Sequence, residues 1–173
     1  MSTHIDFADI SLKDALDLAI LIEEEARERY EEFFDQMILH HTPEAAEFFH
    51  AMIGNEAKHE AELAARRQSL FRDEPRVVQR SQLWEIEAPG YDEARAFMTA
   101  RKAMKVALEC EIKAYDFFAG ALPHIKDPGV HSLFEELRDE EKLHQEMVRR
   151  EIDKLPPDSG LDPEIFADEP TAQ

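Results

Sequence analysis

The sequence predicts an all-α protein, an antiparallel four-helix bundle with one long crossover between helices 2 and 3. Three observations predict it. Glycine is scarce, 5 of 173 residues, while Ala, Glu, Leu and Arg are plentiful, a composition that favours helix over sheet. Apolar side chains recur every three or four positions through four long stretches, the spacing of one helix face. The four stretches also fall into two similar halves, each of two helices joined by a short connection, which makes each half an antiparallel hairpin.

Helix 1 is expected over about 11–40. Ser11 is its N-cap, and Asp14 puts an acid in the first turn. Its stripe runs Leu12, Leu16, Ala19, Glu23, Ala26, Tyr30, Phe33 and Met37. Helix 2, about 43–70, begins at Pro43, a residue suited to a first turn, with the stripe Phe49, Met52, Glu56, His59 and Leu63. The stretch FRDEPRVVQRSQLWEIEAPGY, 71–91, shows no clear period. It is long for a loop and suits the crossover, with Trp84 and Ile86 expected to pin it to the bundle flank. Helix 3, about 92–122, starts near Thr99 with a lead-in from Asp92; its stripe is Met104, Ala107, Glu111, Ala114, Phe118 and Ala121, and it stops before Pro123. Helix 4, about 128–154, follows Asp127, carries Phe134, Leu137, Glu141, His144 and Val148, and ends before Pro156 and Pro157. The bundle is thus one domain over 1–155, and the acidic, Pro-rich tail, 156–173, is expected to be disordered.

The two halves align in detail. Displaced by 88 residues, helix 1 overlays helix 3: Ala15 on Ala103, Ala19 on Ala107, Glu23 on Glu111, Ala26 on Ala114, Tyr30 on Phe118. Displaced by 85, helix 2 overlays helix 4: Pro43 on Pro128, Phe49 on Phe134, Glu56 on Glu141, His59 on His144. Two copies of one hairpin pack with pseudo-twofold symmetry.

Composition narrows the function. A net charge of −19 argues against a nucleic-acid partner, whose phosphates it would repel. The single cysteine, Cys110, permits no disulfide framework and no Cys-x-x-Cys pair. No signal-like N-terminus and no apolar run of membrane-spanning length is present. A cytoplasmic protein without a membrane partner is expected.

The chemistry lies on the stripes. Residues three apart on a helix share a face, so Glu56 and His59 both point to the apolar side, as do Glu141 and His144. Helices 1 and 3 each add one acid, Glu23 and Glu111. Four carboxylates in an apolar core require a compensating charge, and none of the four stripes holds a Lys or Arg. Two divalent cations balance four ionised Glu and two neutral His. A Glu from each of two helices and a Glu-x-x-His from each of the other two is the known pattern of ferritin-like di-iron and di-manganese proteins. This donor set suits iron, with manganese as the alternative, held roughly 3.5–4 Å apart. The plainer alternative pairs the buried acids with the two histidines alone, which leaves four acids facing two bases. A third Glu-x-x-His, Glu47 with His50, is turned about 180° from Glu56 and belongs to the surface.

These residues resemble the rubrerythrin-like branch of the ferritin-like di-iron carboxylate proteins. The resemblance covers about Ser11 to Lys154. It rests on the A-x-x-x-E-x-x-A-x-x-x-Y pattern at Ala19, Glu23, Ala26 and Tyr30, its copy ending at Phe118, and the two Glu-x-x-His pairs. It implies Glu23, Glu56, His59, Glu111, Glu141 and His144 as metal ligands, with Glu56 and His59 on one ion's side and Glu141 and His144 on the other's. It further implies two iron ions and no haem, with O2 or H2O2 as oxidant: a ferroxidase or peroxide-scavenging oxidoreductase. Iron storage or delivery without turnover, and a structural adaptor with an inert site, are the alternatives. Two departures stand out. There is no rubredoxin module, so electrons must come from an external donor protein. Ala114 stands where the family has an extra glutamate, so the six-ligand set looks more like the symmetric centre of bacterioferritin. A homodimer is expected, its hairpins either kept within one chain or exchanged.

Neighbouring residues carry bland readings beside functional ones. Asn55 and Glu140 precede ligand acids and either hydrogen-bond a ligand histidine or face solvent. Tyr30 either donates to a ligand carboxylate or fills the core. Cys110 reads as a packed small residue. His40, His41, His124 and His131 read as surface, and of the acidic runs 23–25 and 31–32 only Glu23 lies on the stripe.

Overall fold

The computed structural model describes residues 5–39, 43–80 and 99–157. Four helices make up the fold: α1 (Leu12–Leu39), α2 (Pro43–Phe71), α3 (Ala100–Ala121) and α4 (Pro128–Lys154). Helix α1 lies along α2 and α3 along α4, two hairpins packed face to face as a ferritin-like bundle. Among the described residues there is no strand, and no helix is long and apolar enough to cross a membrane.

Local chemistry sets the ends. The Ser11 hydroxyl accepts from the Asp14 N–H at 3.1 Å and donates to the Asp14 carboxylate at 2.7 Å, so this pair starts α1. The Asp127 carboxylate accepts from the N–H groups of Gly129 and Val130 and starts α4, with Pro128 as its first residue. Thr99 accepts from the Lys102 N–H with its own backbone extended, at φ −70° and ψ 155°. Helix α3 therefore starts at Ala100, after an extended Thr99, and residues 92–98 of the expected range of helix 3 lie outside the described residues. The C-terminal end of α3, at Ala121, falls before Pro123 as expected. A 3-10 turn, Leu122–His124, carries the coil through Pro123. Trp84, Ile86 and the tail from 158 lie outside the described residues.

Each helix buries its stripe, and the buried apolar residues form two separate layers. One joins Ala15 to Ile22 of α1, Leu63 of α2, Phe118 of α3 and Leu133 to Leu137 of α4. The other joins Ala26 to Met37 of α1, Ala45 to Met52 of α2, Ala103 to Ala107 of α3 and Val148 and Ile152 of α4. On every helix the boundary between layers is a glutamate: Glu23, Glu56, Glu111 and Glu141. The polar slab is therefore sealed by hydrocarbon at both ends. A contribution not visible in the periodicity comes from the N-terminal segment, where Phe7 stacks edgewise on Phe117 and Phe134 and closes the first layer.

Candidate metal centre

All four glutamates are at most 2% exposed, and the two histidines lie between them. Helical spacing presents each Glu-x-x-His pair on one face, and antiparallel packing turns that face toward the acid of a neighbouring helix. The side chains form two groups, each with ligand atoms within 4.8 Å of one another: Glu23, Glu56 and His59; and Glu56, Glu111 and His144. Glu141 lies against the second, its Oε2 3.7 Å from His144 Nδ1. Glu56 is thus common to both groups, where the resemblance placed it on one side only. The reason is its depth at the bundle axis, within reach of α1 and α3 together.

Both histidines turn Nδ1 toward an acid: His59 toward Glu23 Oε2 at 3.8 Å, His144 toward Glu111 Oε2 at 3.2 Å. The imidazole rings are stacked, 4.9 Å apart and 3° from parallel. Two stacked cations repel, so the pair accommodates one proton more easily than two. Burial, and then the charge of His144, hold His59 below its ordinary pKa. Burial would lower His144 too, but its hydrogen bond to Glu111 and the surrounding carboxylates outweigh that and raise it.

The carboxylates are under greater stress. Burial, followed by the charges of Glu23 and Glu111, pushes Glu56 well above the usual carboxylate range. Burial and then Glu111 do the same to Glu141. Among the described residues neither oxygen of Glu56 has a hydrogen-bond donor, nor does Oε2 of Glu141. What they face is other carboxylates, so without a cation their only relief is a shared proton. Orphaned oxygens, an all-oxygen-and-imidazole donor set and two groups sharing one carboxylate fit a pair of hard or borderline divalent ions.

The surroundings decide several open readings. Tyr30 donates to Glu111 Oε1 at 2.8 Å, reaching from α1 to the acid of α3. Asn55 is turned to Met147 Sδ, 4.0 Å away, rather than to a ligand histidine. Glu140 is half-buried beside His59. Cys110 is buried and its thiol donates to the Val106 carbonyl at 3.1 Å, a packed residue apart from both groups. Glu47, His50 and His124 are exposed. His131 is half-buried, with Nδ1 3.4 Å from Glu135. His40 and His41 lie outside the described residues.

Three buried polar residues escaped the sequence reading. Asp17 is fully buried on α1, held by Arg67 at 2.8 Å and Lys13 at 3.0 Å. Arg29 is 5% exposed and pairs with Glu32 at 2.9 Å. Gln145, next to His144, donates to the backbone carbonyl of Glu111 at 3.1 Å and ties α4 to α3. The position of Gln145 beside a stripe histidine was the one available signal.

The family model described as Rubrerythrin matches residues 14–152. Among solved structures the chain is similar to an uncharacterised conserved protein from Magnetospirillum magnetotacticum MS-1, with 27% identity and a TM-score of 0.69. The likeness covers 88% of this chain and all of that one. No curated protein matches the chain.

Proposed function

The chain belongs to the rubrerythrin family, and from that premise we propose that it holds two iron ions between its hairpins and oxidises Fe2+ with O2 or H2O2. The observation that carries this is Glu56: buried, common to both groups, with two oxygens that no donor in the described structure satisfies. A pair of ferrous ions bound there would supply two electrons, enough to take H2O2 to water or O2 to H2O2.

In this reading Glu23 and His59 would hold one ion and Glu111 and His144 the other, with Glu56 within reach of both. Glu141 completes the second side, against His144. Tyr30 fixes the orientation of Glu111 by its 2.8 Å hydrogen bond, so that carboxylate needs little reorganisation when a cation arrives. Each histidine would bind through a nitrogen that carries no proton; for His59, whose pKa is lowered, this costs less than for His144, whose pKa is raised. The two apolar layers keep bulk water from the slab. Ala114 is fully buried and offers no carboxylate, so the donor set stays at six. Electrons for repeated turnover would come from further Fe2+ or from a donor protein, since the one cysteine of the chain cannot build a rubredoxin-type site. One chain supplies all six side chains, so a homodimer need not exchange its hairpins.

The test is anaerobic loading with Fe2+, then stopped-flow absorbance on mixing with O2 or H2O2. Two ions bound per chain and repeated oxidation under excess Fe2+ are expected. A single stoichiometric oxidation would favour iron binding or delivery without turnover. Glu56→Ala should bind less than two ions per chain and lose rapid oxidation; unchanged behaviour would refute the assignment.

A further inference from the structure

Between α2 and α4, on the outer side of His59, lies a cavity of about 110 Å3. Its polar lining is His59, Glu62, Arg66, Glu136 and Glu140, with leucines completing the wall. His59, its side chain 14% exposed against 11% for His144, is the site histidine that lines the cavity. Immediately behind it, with ligand atoms within 4.8 Å, stands the orphaned carboxylate of Glu56. Arg66 reaches across the seam to Glu136 at 2.7 Å and neutralises that acid. Glu62, paired with Lys58 at 3.7 Å, and Glu140 are the other acids that face an incoming ion.

We propose that this cavity is the route by which divalent cations reach the centre, with Glu62 and Glu140 as the transient binding station and His59 as the inner gate. The proposal rests on the metal-centre reading and adds the path to it. A dication must shed most of its water before entering a slab sealed by hydrocarbon on both ends. Carboxylates at the threshold replace part of that hydration and raise the local cation concentration. Rotation of the His59 ring away from the stack on His144 opens the way inward, and its Nδ1 then becomes a ligand. The Arg66–Glu136 pair opposes this by placing a positive charge at the mouth. The route therefore makes two predictions of opposite sign on one surface.

The probe is Co2+, whose visible absorbance reports binding without oxidation chemistry. The full-length metal-free protein is mixed with Co2+ at low ionic strength, and the rate and final stoichiometry are read. Glu62→Gln/Glu140→Gln should load about tenfold more slowly, with the same two ions at equilibrium. Arg66→Gln should load faster than wild type. Both differences should shrink with added salt. Glu31→Gln/Glu135→Gln makes the same change in net charge away from the cavity and should load at the wild-type rate. Equal rates in all four proteins, each taking up two ions, would overturn the route while leaving the centre standing. No Co2+ uptake by the wild type would overturn the centre and the route with it.

Discussion

At the scale of single residues, two fully buried acids on α1 and α2 have opposite solutions to the same problem. Asp17 is surrounded by Arg67 and Lys13, and their hydrogen bonds outweigh burial to keep its pKa below the ordinary value. Glu56 is surrounded by acids, and burial drives its pKa up. Burial by itself is therefore neutral as to function; the sign of the neighbours separates a structural ion pair from a cation site. Tyr30 shows how one atom breaks the symmetry of the repeat. Its counterpart Phe118 carries no hydroxyl, so Glu111 gains a donor through a position that has no equivalent in the other half. Tyr30→Phe should destabilise the metal-free protein by about 1 kcal/mol, measured by urea unfolding. It should also weaken binding of the ion at Glu111 and His144 more than that at Glu23 and His59, read as a wider separation of two steps in a Co2+ titration.

At the scale of elements, Asp17 fastens the start of the crossover to the bundle. Arg67 of α2 binds Asp17 and also donates to the backbone carbonyls of Arg72 and Glu74, just past the end of α2. Arg76 and Arg80 then pair with Glu24 and Glu28 along α1. The expected anchors Trp84 and Ile86 lie outside the described residues; the described part is held by these ion pairs and by Val78, packed against the first apolar layer. The pH dependence follows from the direction of the Asp17 shift. Its folded pKa lies below its ordinary value of 3.8. The stabilisation is present in full above that value and is lost as pH falls below it toward the folded pKa. Asp17→Asn should lower the urea midpoint at pH 7. The gap to wild type should narrow as pH drops below about 4, and a gap that stayed constant down to pH 3 would contradict the ion-pair account.

At the scale of the whole molecule, the centre is a polar slab between two apolar layers, and its folding energetics depend on what fills it. Glu56 and Glu141 are buried with raised pKa values and orphaned oxygens, an unfavourable arrangement that a cation bound as proposed would relieve. Chelation should therefore lower the melting temperature of the loaded wild type by several degrees in calorimetry. The same treatment should barely move Glu56→Ala. A loaded wild type that melts unchanged after chelation would instead mark the site as an inert structural feature.

The sequence by itself determined the four helices and the duplication, and it singled out six side chains on buried faces. These follow from local rules: a 3.6-residue period, capping chemistry at Ser11, Thr99 and Asp127, and the rarity of acids on apolar stripes. Only the tertiary structure decided that Glu56 is common to both groups, that Tyr30 of one hairpin serves Glu111 of the other, and that Asn55 turns to Met147 instead of a histidine. It also decided the pairing of Asp17 with Arg67, fifty residues away. The physical reason is that periodicity fixes the direction of a side chain relative to its own helix axis. Which partner it meets depends on the rotation and offset of the opposing helix, quantities set by the packing of both apolar layers together.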